Sequence, residues 1–70
     1  MLNLFVESLK GNMNVYENVY KVKIKKIDNK NVLEIIYNSL KDCEYIFLSN
    51  IKLCYLIDVD STHEYFRYEK

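Results

Sequence analysis

Tyr20-Lys21-Val22-Lys23-Ile24-Lys25-Lys26-Ile27-Asp28-Asn29-Lys30-Asn31-Val32-Leu33-Glu34-Ile35-Ile36-Tyr37 is the stretch on which the fold turns. Its opening residues alternate apolar and lysine, the period-two pattern of a strand with one buried and one wet face. Asp28 to Asn31 is a polar turn and Val32 to Tyr37 a second β-type run, so the stretch predicts an antiparallel hairpin. Setting Ile27 opposite Val32 brings Ile24 against Ile35, Val22 against Tyr37 and Lys25 against Glu34. Apolar then meets apolar on one side and opposite charges meet on the other.

Downstream the same rhythm returns. Glu44 to Leu48 and Ile51 to Val59 read as two further strands joined at Ser49-Asn50 by a two-residue turn. In that register Ile46, Leu48, Ile51, Leu53, Tyr55 and Ile57 share a core face. Tyr45, Phe47, Cys54 and Leu56 share the reverse face with Lys52 and Asp58. Asn38 to Asp42 is a polar interruption in which Ser39 offers a cap for a turn of helix, and His63 to Tyr68 is an aromatic-rich last strand. Upstream, Leu2, Phe5, Val6 and Leu9 fall at i, i+3, i+4 and i+7, which predicts a short amphipathic helix over 2–10, ended by Gly11. The expected fold is α+β in a single domain over 1–70. A short N-terminal helix would precede four or five antiparallel strands in a curled meander or small SH3-like barrel.

Half of the residues are apolar and 29% are charged, which suits a folded chain. Seventy residues bury little, so any core is small and a pocket is hard to enclose beside it. Ten basic and ten acidic side chains cancel, and no long-range field drives the molecule as a whole onto nucleic acid or an anionic membrane. No long apolar run and no secretory start is present, so the chain reads as cytoplasmic, without a membrane partner. Cys43 and Cys54 stand alone and are expected as reduced thiols, with Cys54 facing Tyr45 and a disulfide out of register. Abundant Asn, Lys, Ile and Tyr, with no Ala, Pro, Trp or Gln, is the usage of an AT-rich genome, as in low-GC bacteria, their phages and plasmids, or AT-rich eukaryotic parasites.

Three motifs invite chemical readings. Leu56-Ile57-Asp58-Val59-Asp60-Ser61-Thr62 resembles the first motif of haloacid-dehalogenase-type phosphotransferases, which implies a nucleophilic Asp58, an acid/base Asp60 and a metal between them. That family requires a large parallel sheet and later lysine and acidic motifs, and eight residues follow Thr62 here. The same segment partly imitates an EF-hand loop, but His63 stands where the sharp-turn glycine belongs, so no metal or other cofactor is expected. His63 is the only histidine, and nothing in its spacing ties it to a thiol or hydroxyl. No catalytic residue is assigned.

The expected function is a non-enzymatic protein-binding module that occupies a surface on a partner protein, with Tyr45, Phe47, Leu56 and Tyr65 as anchors and Asp58, Asp60 and Glu64 as a charged rim. Length, codon usage and the basic-early, acidic-late charge polarity extend this to a phage or mobile-element inhibitor of the anti-defence type. The first alternative is a small β-barrel that holds single-stranded nucleic acid through Lys21, Lys23 and Lys25. It suffers because Tyr20 and Tyr37 fall on the face opposite the lysines. The second is a homodimer that buries the reverse face against its own copy.

Overall fold

Residues 1–70 of the computed structural model form one antiparallel sheet of six strands. In chain order these are β1 (Leu2–Ser8), β2 (Met13–Ile27), β3 (Lys30–Tyr37), β4 (Glu44–Phe47), β5 (Ile51–Asp58) and β6 (Glu64–Glu69), with a 3₁₀ turn at Leu48–Asn50. There is no α-helix, and the α+β expectation with its 2–10 helix is overturned. The reason lies in β1's neighbours. Leu4 and Val6 are buried between β2 and β5, paired with Tyr16 and Asn14 on one side and with Leu56 and Cys54 on the other. As a helix the segment would leave both flanking strands with an unpaired edge, a cost that helical spacing in nine residues cannot offset.

Neighbouring strands run β4-β3-β2-β1-β5-β6. A flat sheet would set β4 about 19 Å from β5 at about 4.8 Å per strand. The link from Phe47 to Ile51 reaches at most about 14 Å even fully extended, and less as a 3₁₀ turn. The sheet must therefore curl until β4 approaches the start of β5, giving a small, incompletely closed barrel. β2 bends to serve both halves: Asn18 sits at φ 56° and the pairing with β3 slips between Val19 and Lys21. Asn38 pins this bend through its side-chain amide, which donates to Asn18 Oδ1 at 3.2 Å and to the Val19 carbonyl at 3.3 Å.

The core fills the curl with Leu4, Val6, Val19, Leu33, Ile35, Tyr37, Leu48, Ile51, Cys54 and Leu56. The β2–β3 hairpin forms as the sequence predicts, with its register shifted by two. Ile27 faces Lys30, Ile24 faces Leu33 and Val22 faces Ile35. Its turn is the pair Asp28-Asn29, at φ 51° and 63°, the left-handed pair that matches strand twist. A slip of two keeps every side chain on its expected face.

Two other expectations fail. β4 and β5 do not pair, and neither Ser49 nor Asn50 has the positive φ that a two-residue hairpin would require. From Leu53 onward the faces of β5 are also reversed, with Cys54 and Leu56 inward and Leu53 and Tyr55 half-buried outside, while Leu48 and Ile51 keep their expected core positions before a register shift against β1. Residues 38–43 form a loop without helix. Both thiols are free, Cys43 exposed and Cys54 buried. No helix is long and apolar enough to cross a membrane.

Candidate nucleic-acid interface

β4 adds its four residues to the outer edge of β3, and this pairing decides what the convex face carries. Val32 faces Phe47 and Glu34 faces Tyr45 on one side of β3, while Lys25 faces Val32 and Lys23 faces Glu34 on the other. Directly opposed residues share a face. Lys25, Val32 and Phe47 therefore form one row, and Lys23, Glu34 and Tyr45 the next, with Lys21 and Lys30 on the same surface. Tyr45 is 51% exposed and Phe47 47%. As alternate residues of one strand they stand about 7 Å apart, so their rings present two separate platforms.

The lysines reach over these rings. Lys25 Nζ lies 5.5 Å from the centre of Tyr45 and Lys30 Nζ 5.5 Å from that of Phe47. The single acid of the face is Glu34, only 7% exposed, whose Oε2 accepts from the Tyr45 hydroxyl at 3.1 Å and pairs with Lys25 at 3.4 Å. Burial pushes its pKa upward, but the bonds from Tyr45 and Lys25 and the charges of Lys25 and Lys23 outweigh this and hold the carboxyl below its ordinary value. Accepting that bond in turn raises the Tyr45 phenol. Lys21, Lys23 and Lys30 make no ion pair.

The acidic residues behave differently. Asp58 Oδ1 accepts the Asp60 amide at 2.9 Å and lies 3.7 Å from the Met1 ammonium, which also meets Asp60 at 3.4 Å. The Asp60 amide is the chief cause of a lowered Asp58 pKa, which burial opposes and the ammonium reinforces. Glu64 is held by Arg67 at 2.8 Å. These three carboxylates are thus engaged within the chain. Tyr65 is open, with His63 edge-on to it at 4.5 Å. Leu56 is 4% exposed in the core and cannot anchor a partner. No three His, Cys, Asp or Glu side chains converge on one point.

A further polar cluster closes the core beside the β3–β4 loop. The buried Tyr37 hydroxyl donates a short hydrogen bond to Glu44, and Lys41 covers it, 4.4 Å from the Tyr37 ring centre and 3.8 Å from the Glu44 carboxylate. Burial, then the bond to Glu44 and its charge, push the Tyr37 phenol far above its ordinary value. Its hydrogen bond to Glu44 satisfies it internally, which marks a structural plug rather than a site.

Sequence reasoning named both Tyr45 with Phe47 and Lys21 with Lys23 and Lys25, but assigned them to rival functions. The signal that joins them was the pairing partner of β4. Matching Glu34 with Tyr45 would have put the aromatics among the lysines, whereas pairing β4 to β5 hid the connection. The chain matches no family model, no curated protein and no solved structure.

Proposed function

We propose that this protein binds single-stranded nucleic acid on the convex face of β2, β3 and β4. One observation carries the reading: two half-exposed aromatic rings stand in a field of lysines of which three are unpaired. Lysines neutralise phosphates, and aromatic side chains stack on bases of any identity, the combination by which sequence-tolerant single-strand binders work. Lys21, Lys23 and Lys30 contact the backbone while Glu34 holds Lys25, and Tyr45 and Phe47 contact the bases. A chain of zero net charge serves this role because four of its lysines share one face with a single acid.

An acidic protein surface is the competing occupant of the same face, in keeping with the protein-docking reading of the sequence. Two observations favour nucleic acid: of the four expected anchors Leu56 is enclosed, and the expected acidic rim is engaged within the chain. The test is a titration of fluorescent single-stranded DNA and RNA at low salt. Binding that weakens with salt, and falls about 5- to 150-fold on Phe47→Ala, is expected, since stacking contributes about 1–3 kcal/mol per base. Absence of binding at low salt refutes the proposal and leaves protein docking as the use of the face.

A further inference from the structure

We infer that the mouth of the barrel beside the lysine face is a pocket for one unpaired nucleobase, so that the protein reads a base as well as holding a backbone. This rests on the nucleic-acid reading of the neighbouring face. The recess has a volume of about 550 Å³ and lies between the start of β3, the 3₁₀ turn and Tyr68 of β6. It falls in the size range of small-ligand sites, which favour barrel mouths. Leu48, buried, forms its floor.

Three features select the ligand. Phe47 and Tyr68 supply aromatic walls, the surfaces on which a planar heterocycle stacks. Asn31 and Asn50 line the recess, and their carboxamides make no hydrogen bond within the chain, unlike those of Asn18 and Asn38, which are bonded to each other past the far end of β3. Each amide offers a donor and an acceptor side by side, the arrangement that pairs with the edge of a base such as adenine. No carboxylate lines the recess and Lys30 stands at its rim, which suits a neutral ring joined to a phosphate. Lys30 and Phe47 belong to both the recess and the lysine face, so a strand lying on the face runs into the pocket without a break.

Asn50 also borders a second recess of about 410 Å³, lined by Ser8, Leu9, Lys10 and Asn12. That hollow holds no aromatic ring and is not assigned a base. It gives the strand an exit past Lys10.

The experiment follows side-chain amide resonances of the full chain by NMR during titration with AMP and, separately, with a short oligodeoxyadenylate. Shifts of the Asn31 and Asn50 carboxamides with both probes are expected, and Asn31→Ala or Asn50→Ala weakens AMP binding about fivefold or more. Both sites are exposed, so the substitutions leave the core intact. Lys21→Gln, remote from the recess, weakens the oligonucleotide and spares AMP. If the oligonucleotide binds while both carboxamides stay unmoved and the alanine variants keep full affinity, the pocket is refuted and the lysine face stands. If neither probe binds, both readings fall.

Discussion

Glu34→Gln offers the sharpest test of the lysine face, because it predicts a gain. In the native chain Glu34 holds Lys25 at 3.4 Å, leaving Lys21, Lys23 and Lys30 free to meet phosphates. Three phosphate contacts on a single strand give a slope of about −2 for the logarithm of affinity against that of salt, an affinity loss of about 18-fold between 50 and 200 mM. Glutamine keeps an oxygen that can accept the Tyr45 hydroxyl now bonded at 3.1 Å, so the aromatic platform stays in place. It removes the charge and frees Lys25. A fourth contact steepens the slope to about −3, with a loss near 50-fold over the same range, and raises affinity at low salt. Fluorescence anisotropy with a labelled homopolymer at a series of salt concentrations measures both. An unchanged slope together with unchanged or weaker low-salt affinity would refute the argument that Lys25 is restrained by Glu34.

Leu4→Ala, at a fully buried position between β2 and β5, costs about 3–5 kcal/mol and takes most of the stability expected of 70 residues; a shift in the urea midpoint of under about 0.5 kcal/mol equivalent would deny β1 its central place. Burial raises the Cys54 thiol to about 11, while Cys43 is exposed, so iodoacetamide at about pH 8 adds one group per folded chain and two only after denaturation, as intact mass reports. The Asp58 carboxyl is lowered by the Asp60 amide, despite partial burial, with help from the Met1 ammonium; its contribution is present above about pH 4 and lost as pH falls through the depressed value. Asp58→Asn therefore flattens the loss of thermal stability between about pH 4 and pH 2, and parallel wild-type and variant curves would contradict the assignment.

How much of this was legible beforehand differs from strand to strand. The lysine alternation at 21, 23 and 25 identified β2, and the apolar run at 32–37 identified β3, because each has a chemically marked face. Their register was ambiguous by two residues since either pairing keeps apolar with apolar; turn geometry chose, with Asp28 and Asn29 both accepting positive φ. β1 was hidden by a coincidence of spacing. Leu2, Phe5, Val6 and Leu9 suit a helix, yet the core takes Leu4 together with Val6, and Phe5 turns outward onto Tyr55 at 5.2 Å. β5 is apolar on both faces, so alternation alone could not say which side is in. Its orientation is settled by β1, some fifty residues away in sequence, where Leu4 meets Leu56 and Val6 meets Cys54. The candidate surface was half legible: each residue type was marked, but the β3–β4 pairing that unites them is a tertiary choice.

Of the six strands, the earliest in the sequence lies in the interior of the finished sheet. β1 finds β2 at once, but its other edge waits for Ile51–Asp58 to emerge, and until then Leu4 and Val6 have cover on one side only. Closure thus depends on the most sequence-distant pairing in the molecule, the kind that slows folding. A ribosome-bound chain cut short before residue 58 would carry an open, greasy seam along β1, vulnerable to chaperones, proteases and neighbouring copies, and would acquire protection abruptly rather than by degrees once β5 is released.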